Sequence, residues 1–307
     1  MNRAVTAVIV VNFGSSALLS RNLVALGRAG EGLQIIVVDN FSSEMERRRV
    51  ADLAARQGWL LVALDENRGF AAGANAGIDA AMVGGVKSYL LLNPDVRITG
   101  ADVRVIVDQL SEDRCSIISP TLRAPDGSVS FRGEVVDLAS GQMRRRRPTD
   151  HLVGELPWLT GACMLLSREV WEVVGRFDED YFMYWEDVDY CVRATRAGVR
   201  LRLSEQVTAT HDGGGTQPRT AGGGKSSLYY YLNVKNRMLF AKKNLPPALV
   251  RLWLRKSAQA AYQVALQQGG RRKFLRTIVP PLQCLRGAAH GALLVHPLPS
   301  LTRRRRQ

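Results

Sequence analysis

The first hundred residues alternate short apolar runs with stretches of helical periodicity, and this alternation constrains the fold more than any other feature. The apolar runs predict four strands, which are TAVIVVNF, LQIIVVDN, WLLVAL and SYLLLNPDV. The segments between them predict helices over residues 16–29, 44–57 and 70–83. Continuous apolar strands separated by helices are typical of a mostly parallel sheet covered by helices on both faces. The sequence therefore predicts an α/β fold.

The regular alternation ends after the fourth strand. Residues 123–132 contain a Pro-Asp-Gly turn and predict a hairpin, whereas the arginine run at 144–147 predicts an exposed loop. The glycine-rich segment 211–224 predicts a mobile loop, and the chain beyond it reads mostly as helix broken by two Pro-Pro pairs. We therefore expect one α/β domain over residues 1–240 and a basic, mostly helical extension over 241–307.

Charge is concentrated at the C-terminal end of the chain. Residues 1–212 carry 24 Lys and Arg against 28 Asp and Glu, whereas residues 213–307 carry 18 Lys and Arg and no acidic residue. Trp253, its neighbouring leucines, Phe274 and Ile278 lie between these basic residues, a pattern typical of a helix on an anionic membrane surface. A helical cap with a solvated charged face and a nucleic-acid-binding tail are the alternatives.

Targeting and redox signals favour the cytoplasm. The apolar run at residues 4–11 is short and lacks a cleavage site, so it predicts a strand rather than a signal peptide. No stretch reaches the roughly 18 apolar residues that a membrane span requires. The four cysteines form no C-x-x-C pair, which is typical of a reducing compartment. We therefore expect a cytoplasmic protein, peripheral at the inner face of the cell membrane.

Polar residues end three of the predicted strands, where open α/β sheets bind ligands. They are Asn12, Asp39 with Asn40, and Asn93 with Asp95. Asp39 has the chemistry to accept the N–H of a pyrimidine or the hydroxyls of a ribose, although it could instead cap the next helix in competition with Ser42 and Ser43. Asp95 suits a divalent cation held on a diphosphate, or an Asx turn.

Glycines recur every four residues in the segment NRGFAAGANAG. They are Gly69, Gly73 and Gly77, with Asn67 and Asn75 between or beside them. Glycines at the start of a helix let a diphosphate approach the backbone. The same spacing also packs a helix tightly on a sheet, and the two interpretations are compatible.

The densest chemical segment covers residues 175–193, where six carboxylates alternate with aromatic residues. Aromatic surroundings raise a carboxyl pKa towards neutrality, which suits a general base next to a stacked sugar. Glu186, Asp187 and Asp189 could instead stabilise a helix N-terminus. His211 opens the glycine-rich segment and is a candidate metal ligand.

Taken in order, these motifs resemble the family 2 inverting glycosyltransferases of the GT-A fold, in the rhamnosyltransferase-like branch that builds cell-surface polysaccharides. The resemblance covers about residues 4–240 and also includes the segment WLTGACMLLSR. It implies a nucleotide-diphospho-sugar donor and Mg²⁺ or Mn²⁺. Its D-x-D metal motif reads N-P-D here, which places more of the metal binding on Asp95 and on a distant ligand, for which His211 has the right place.

The resemblance also assigns roles to individual residues. Asp187 becomes the catalytic base with Glu186 beside it, and the acceptor side is Trp158, Gly161 and Ala162. The lid is Gly213, Gly214 and Lys225. The nucleotide-sugar side is Asn12, Asp39, Asn67, Gly69, Phe70, Gly73, Asn75 and Asn93.

From this resemblance we expect an inverting transfer of a sugar, with L-rhamnose from dTDP-rhamnose as the first choice. The expected acceptor is a hydroxyl of a glycan precursor, on a polyprenyl diphosphate if the basic tail binds membrane. UDP-galactofuranose is the main alternative donor. A sugar-phosphate nucleotidyltransferase would need a basic phosphate loop after the first strand, and NFGSSALLS has none. A non-enzymatic polyanion-binding protein would explain the tail alone, and we expect no nucleic-acid partner.

Overall fold

The computed structural model describes the following residues of the chain: 6–29, 32–145, 153–213, 225–266 and 277–295. The chain divides into two compact units. The first contains residues 1–137 and 143–218, and the second contains residues 138–142 and 219–307. The second unit thus begins ahead of the domain boundary predicted near residue 240.

Twelve strands occur among the described residues. They are β1 Thr6–Asn12, β2 Leu33–Asp39, β3 Leu60–Ala63, β4 Ser88–Leu92, β5 Val96–Arg97, β6 Ser116–Arg123, β7 Val129–Phe131, β8 Glu134–Asp137, β9 Gln142–Arg145, β10 Glu155–Trp158, β11 Cys163–Ser167 and β12 Arg200–His211. The larger described sheet has the order β3-β2-β1-β4-β11-β6-β12-β5, with β7 paired to β6. The smaller sheet has the order β10-β8-β9.

The strands β1 to β4 form one parallel part of the larger sheet, and β6 and β12 form a second parallel pair. β1 pairs in parallel with β2 and β4, and β2 pairs in parallel with β3. β11 then runs antiparallel to both β4 and β6. Because β1, β2 and β4 are parallel, the polar residues that follow them come to the same edge of the sheet.

The described helices flank these strands and form the second unit. They are α1 Ser16–Leu18, a π-helical turn Leu19–Leu23, α2 Val24–Ala29, α3 Glu44–Gln57, α4 Gly69–Val83, α5 Gly100–Glu112, α6 Arg168–Val174, α7 Glu186–Arg196, α8 Ser227–Asn244, α9 Pro247–Arg255, α10 Ser257–Leu266 and α11 Val279–Val295. The single helix predicted over 16–29 is therefore divided by the π-helical turn. This turn brings the Asn22 amide to the carbonyl of Pro94 at 2.8 Å, just after β4.

Two glycines let α4 lie directly on the sheet. A Cβ on Gly73 would lie 2.6 Å from Cγ1 of Val11, and one on Gly77 would lie 2.4 Å from Cγ2 of Ile9. Real side chains do not approach so closely, so any larger residue would push α4 away from β1. The helix-packing interpretation of this glycine spacing is confirmed.

Three expectations about the chain need correction. Residues 142–145 form the strand β9 rather than an exposed loop, because they complete the smaller sheet; residues 146 and 147 lie outside the described residues. The fourth predicted strand ends at Leu92, and the chain turns before β5. Trp253 is fully buried and stacks on Phe240 at 5.9 Å, so it cannot face a membrane surface.

In the described part of the chain, no helix has the length and apolar character needed to cross a bilayer.

A buried arginine organises the second unit. Arg237 is 3% exposed and lies 4.7 Å from the Trp253 ring centroid. Its guanidinium donates to the carbonyls of Ser140, Gly141 and Trp253 at 2.7, 3.2 and 3.1 Å. Burial lowers the pKa of Arg237 to about 10, so the group stays charged at neutral pH. These bonds tie residues 138–142 to α8 and α9.

Replacing Arg237 with methionine is expected to lower the free energy of unfolding by about 3 kcal/mol. The substitution fills similar volume but leaves three buried carbonyls without their donor, and each unpaired buried group costs about 1–3 kcal/mol. Urea denaturation of the full chain would measure the change. Arg251→Met, at an exposed position on α9, is the matched control and should change stability by less than about 0.5 kcal/mol. Equal stability of the two variants would contradict this role.

Candidate active site

Two polar side chains lie next to each other at the carboxyl ends of β1 and β2. Asn12 and Asp39 are register partners in the parallel pair, and both are fully buried. The amide oxygen of Asn12 accepts bonds from the N–H and hydroxyl of Ser15 at 3.2 and 2.8 Å. Among the described residues, Nδ2 of Asn12 and Oδ1 of Asp39 have no hydrogen-bond partner. The pair therefore offers a ligand one donor atom and one acceptor atom. Buried polar atoms without a hydrogen-bond partner are rare in folded proteins.

The other oxygen of Asp39 is held by an arginine from α3. Arg47 Nε donates to Asp39 Oδ2 at 2.9 Å, and the same guanidinium bonds to the carbonyl of Leu64. The helix α3 is capped by Ser43, whose hydroxyl accepts the N–H of Glu46 at 3.2 Å. The helix-cap alternative for Asp39 is therefore wrong, and its carboxylate is fixed in place by an ion pair instead.

The start of α4 is held against the segment that precedes α7. Asn67 Oδ1 accepts the N–H of Gly69 and the amide of Asn40, each at 3.0 Å. Gly69 has a φ of +84°, and a Cβ there would lie 2.1 Å from the carbonyl oxygen of Phe182. The N–H of Phe70 donates to that same carbonyl at 2.8 Å. The first two N–H groups of α4 thus bind protein atoms, and only glycine fits at position 69.

Asn75 lies further along α4 and is fully buried. Its amide nitrogen donates to the carbonyl of Phe177 and to Glu179, both at 2.9 Å, and its oxygen accepts the Phe177 N–H at 3.0 Å. Together with the packing contact of Gly73, this bonding positions the 177–182 segment. The nucleotide-side role expected for these two residues stays a prediction.

The candidate metal ligands come from two paired strands. His211 ends β12 and pairs with Val96 of β5, so it reaches the turn that carries Asp95. His211 Nε2 lies 3.4 Å from Asp95 Oδ1, and Asp95 is 2% exposed. Asn93, at the first position of the N-P-D motif, is partly buried. The sheet therefore brings together the two residues that the sequence predicts as metal ligands.

The donor set of Asp95 and His211 fits a divalent cation. Two ligands at adjacent corners of an octahedron, each about 2.1 Å from Mg²⁺, lie about 3 Å apart. A separation of 3.4 Å between Nε2 and Oδ1 is close to that value. No group of three or more metal-binding side chains occurs within the residues that the structure describes. Diphosphate oxygens and water would therefore complete the coordination.

Two arginines that the sequence analysis did not single out lie beside this pair. Asp212 follows His211, and its N–H donates to the carbonyl of Asp95 at 3.0 Å. The Asp212 carboxylate bonds to Arg21, and Arg97 lies 3.3 Å from it. Both arginines are about half exposed. They place positive charge next to the candidate metal site, where a diphosphate needs it.

The candidate base lies at the start of α7. Asp187 is partly buried, and its Oδ2 and Oδ1 accept the N–H groups of Gly161 and Val188 at 3.0 and 2.9 Å. Burial raises the pKa of Asp187 to about 6, although these N–H groups lower it. Burial and the Asp187 charge raise the pKa of Glu186 well above its ordinary value. Burial thus disfavours the charged form of both residues, and the N–H groups of Gly161 and Val188 favour Asp187 as the member of the pair that carries the negative charge.

Asp189 has a different environment, although it lies only two residues from Asp187. It is 2% exposed, and Arg193 Nε donates to its Oδ2 at 2.8 Å. Arg193 also donates to the carbonyls of Val174 and Arg176 at 2.9 and 3.0 Å. The ion pair serves the packing of α7, and this leaves Asp187 as the better candidate for proton transfer.

A short path of hydrogen bonds joins the candidate base to the candidate metal ligands. The N–H of Asn93 donates to the carbonyl of Ala162 at 2.9 Å, and Gly161 donates to Asp187. A Cβ on Gly161 would lie 3.2 Å from the Phe70 ring, so this glycine fits tightly between Phe70 and Asp187. The residues predicted for the acceptor, the donor and the base thus meet at one edge of the sheet.

Trp158 lies three residues before Gly161, and its strand places it opposite Glu134, a carboxylate that the sequence analysis did not single out. Trp158 is 9% exposed, and its ring centroid lies 5.3 Å from that of Phe131 in a tilted arrangement. It pairs across the smaller sheet with Glu134. Burial raises the pKa of Glu134 to about 6; Arg145 lowers it, and the charge of Asp187 raises it. Glu134 therefore lies close enough to Asp187 for the Asp187 charge to raise its pKa. Only the strand register reveals this proximity, because no local motif surrounds Glu134.

The three lid residues are only partly described. Gly213 has a φ of +59°, and Gly214 lies outside the described residues. Lys225 belongs to the second unit, where its Nζ lies 5.5 Å from the Tyr229 ring centroid. The lid role of these residues stays a prediction.

The chain matches known glycosyltransferases in sequence. The model of a family described as "Glycosyltransferase like family 2" matches residues 3–223. The low-salt glycan biosynthesis hexosyltransferase Agl10 of Haloferax volcanii is 28% identical, over 76% of this chain and 74% of its own length. The dTDP-rhamnosyl transferase RfbF of Shigella flexneri is 23% identical, over 81% and 84%. The N-acetylglucosaminyl-diphospho-decaprenol L-rhamnosyltransferase of Mycobacterium tuberculosis is 34% identical, over 36% and 41%.

The fold also matches a solved glycosyltransferase. The mannosyltransferase PcManGT of Pyrobaculum calidifontis, solved with GDP-mannose and Mn²⁺, superposes with a TM-score of 0.54 at 16% identity. The match covers 96% of this chain and 81% of that one. At this identity the likeness supports the fold, and the family match over most of the first unit supports the activity class. The chain therefore has the GT-A fold and belongs to the family 2 glycosyltransferases, in their rhamnosyltransferase-like branch.

Proposed function

We propose that the protein transfers a sugar with inversion from a nucleotide-diphospho-sugar to a hydroxyl of a lipid-linked glycan precursor. One observation carries the proposal: Asp187 is ionisable near neutral pH and joined through Gly161, Ala162 and Asn93 to the Asp95–His211 pair. A single base opposite a site for the leaving diphosphate is what an inverting displacement requires.

The reaction proceeds in one step at the anomeric carbon. Asp187 takes the proton of the acceptor hydroxyl as its oxygen bonds to the anomeric carbon, and the bond to the diphosphate breaks. Oδ2 and Oδ1 of Asp187 accept the N–H groups of Gly161 and Val188, and a carboxylate oxygen that accepts one hydrogen bond has a second lone pair to receive this proton. A divalent cation held by Asp95 and His211 would neutralise the departing diphosphate. Arg21 and Arg97 add positive charge on the same side.

The buried donor and acceptor at the ends of β1 and β2 support a base that presents an N–H next to a carbonyl. Uracil and thymine both present an N–H next to a carbonyl, which matches Oδ1 of Asp39 next to Nδ2 of Asn12. The relative RfbF is named a dTDP-rhamnosyl transferase, and we therefore propose dTDP-L-rhamnose as the donor. UDP-galactofuranose satisfies the same base contacts and is the alternative.

The proposal for the acceptor rests on the name of one related enzyme and on the positive charge of the C-terminal region. The matching mycobacterial enzyme acts, by its name, on N-acetylglucosaminyl-diphospho-decaprenol. The 18 basic residues beyond position 212, with no acidic residue, suit the anionic membrane in which such a carrier lies. We therefore propose a polyprenyl-diphosphate-linked acceptor and a peripheral location at the cytoplasmic face of the membrane.

Thermal unfolding with a panel of nucleotides tests the donor proposal. In the presence of Mn²⁺ we expect dTDP and UDP to raise Tm more than ADP does, because adenine has no ring N–H next to a carbonyl to match the Asp39–Asn12 pair. Asp39→Ala should reduce this pyrimidine-dependent shift, whereas the control Asp52→Ala, exposed on α3, should keep it. Equal shifts with ADP and dTDP would contradict the base assignment. Incubation with dTDP-rhamnose and NMR of the product's anomeric proton would then test inversion.

A further inference from the structure

The helix α11 presents an apolar stripe that the second unit does not cover. Its residues Leu282, Leu285 and Leu293 are 57%, 63% and 47% exposed, and Ile278 just before the helix is 72% exposed. Their spacing of four, three and eight residues keeps them on one side of a helix. Such a continuous exposed aliphatic row marks an interaction surface rather than scattered surface residues.

The opposite side of α11 accounts for the packing of this helix. Cys284, Gly287 and Gly291 are buried. A Cβ on Gly287 would lie 2.5 Å from the carbonyl oxygen of Tyr231, and one on Gly291 would lie 3.0 Å from the Met238 side chain. The helix therefore lies against α8 through its small residues. The leucine stripe takes no part in that contact.

We propose that the Ile278–Leu293 stripe of α11 inserts into the surface of an anionic phospholipid leaflet. The charge of the unit carries the choice of partner, because residues 213–307 contain 18 Lys and Arg and no acidic residue. Arg286 is exposed on α11 itself, and Lys242, Lys243, Arg251 and Arg255 are exposed on α8 and α9. Aliphatic side chains with surrounding cations are the pattern of a helix that lies in a lipid interface.

Other partners fit this surface less well. Two copies of a unit without acidic residues repel each other, so a second copy would bury the leucines at an electrostatic cost. Nucleic acid would satisfy the basic residues, but its phosphates and bases have no use for a row of leucines. A leaflet rich in phosphatidylglycerol satisfies both the aliphatic and the cationic groups. The proposal relies on the proposed function only for its purpose, which is access to a lipid-linked acceptor.

Vesicle co-sedimentation of the full chain tests the proposal without any requirement for activity. The probe is phosphatidylcholine vesicles with about one third phosphatidylglycerol, at about 0.15 M salt. We expect the unaltered protein to bind them and to bind pure phosphatidylcholine at least about tenfold more weakly. The double variant Leu282→Asn/Leu285→Asn should bind the anionic vesicles at least about tenfold more weakly than the unaltered protein.

The matched control changes two exposed apolar residues of the first unit. Val83 and Val173 are 91% and 65% exposed, so Val83→Asn/Val173→Asn should leave vesicle binding unchanged. Equal binding by the leucine and valine double variants, or no binding by the unaltered protein, overturns the proposal. Sedimentation velocity without lipid adds a third outcome: a dimer that only the leucine variant loses, with vesicle binding intact, assigns the stripe to self-association and also overturns it.

A second measurement does not depend on the folding of the asparagine variant. Leu285→Cys in a Cys115→Ser background carries an environment-sensitive dye, since Cys163, Cys191 and Cys284 are buried. We expect a blue shift of dye emission on anionic vesicles. A dye at Val83→Cys should show none. If the protein binds the vesicles but the dye at position 285 shows no change in emission, the protein binds lipid through another surface. That result would overturn the assignment to α11.

Discussion

Asp187→Asn is expected to lower kcat by about 10²–10⁴-fold while leaving the affinity for the donor nearly unchanged, as is typical for the loss of a general base. Asparagine keeps the shape of the side chain and can still accept the N–H of Gly161, so the acceptor segment stays in place. It cannot take a proton from the acceptor hydroxyl. Single-turnover kinetics at saturating donor would measure the rate, and calorimetry would measure donor binding.

Variants of the neighbouring carboxylates make this prediction specific. Asp180→Asn, at an exposed position of the same acidic segment, is the matched control and should be fully active. Glu186→Gln should keep most of the activity, because burial disfavours the charged form of Glu186 and glutamine is likewise uncharged. If Glu186→Gln were inactive and Asp187→Asn active, the roles of the two residues would be exchanged.

The pH dependence of the unaltered enzyme provides an independent check on the base. A base must be deprotonated to act, so kcat should fall as the pH drops through the raised pKa of Asp187, which is about 6. An unperturbed aspartate would place that fall near pH 4. The decrease in kcat near pH 6 should be absent from the pH profile of the residual activity of Asp187→Asn. A decrease that remains in this variant would belong to another group, with Glu134 as the first candidate.

Local patterns in the sequence were sufficient to predict the parallel strands β1, β2 and β4 and many residues of the candidate site. The strands β1, β2 and β4 are continuous apolar runs, and the parallel pairing of such runs puts Asn12, Asp39 and Asp95 at one edge. The helices α3 and α4 follow from their periodicity almost to the residue. Each of these features depends on interactions within a short window of the chain.

Features that depend on pairing between distant segments could not be predicted in the same way. Glu134 is close to the base only because β8 pairs with β10, with Glu134 opposite Trp158. The burial of Trp253 depends on the Leu138 carbonyl, which accepts its indole N–H at 2.8 Å, and on the charge of Arg237 above its ring. The sequence pattern alone grouped that tryptophan with its neighbouring leucines as a membrane-facing side, because it cannot tell which side of a short amphipathic helix packs against the rest of the protein.

The second large effect is expected at the candidate metal ligands. Asp95→Ala should abolish the contribution of Mn²⁺ to donor binding, and with it at least about 10²-fold of the transfer rate, because charge stabilisation by a metal is worth several kcal/mol. Chelation of the unaltered enzyme with EDTA should have a similar effect. His211→Ala should have a smaller effect, since a neutral imidazole contributes no charge to the site.

Calorimetry of dTDP binding with and without Mn²⁺ separates metal binding from damage to the fold. The unaltered protein should bind dTDP more tightly with Mn²⁺, whereas Asp95→Ala should bind it equally weakly in both conditions. The control Asp108→Ala, at an exposed position on α5, should behave like the unaltered protein. Asp95 is the charged member of the proposed Asp95–His211 ligand pair, so its loss removes the negative charge that the pair offers to a cation. Equal donor affinity with and without metal in the unaltered protein would mean that Arg21 and Arg97 carry the diphosphate instead, and that leaving-group stabilisation in this chain is cationic rather than metal-dependent.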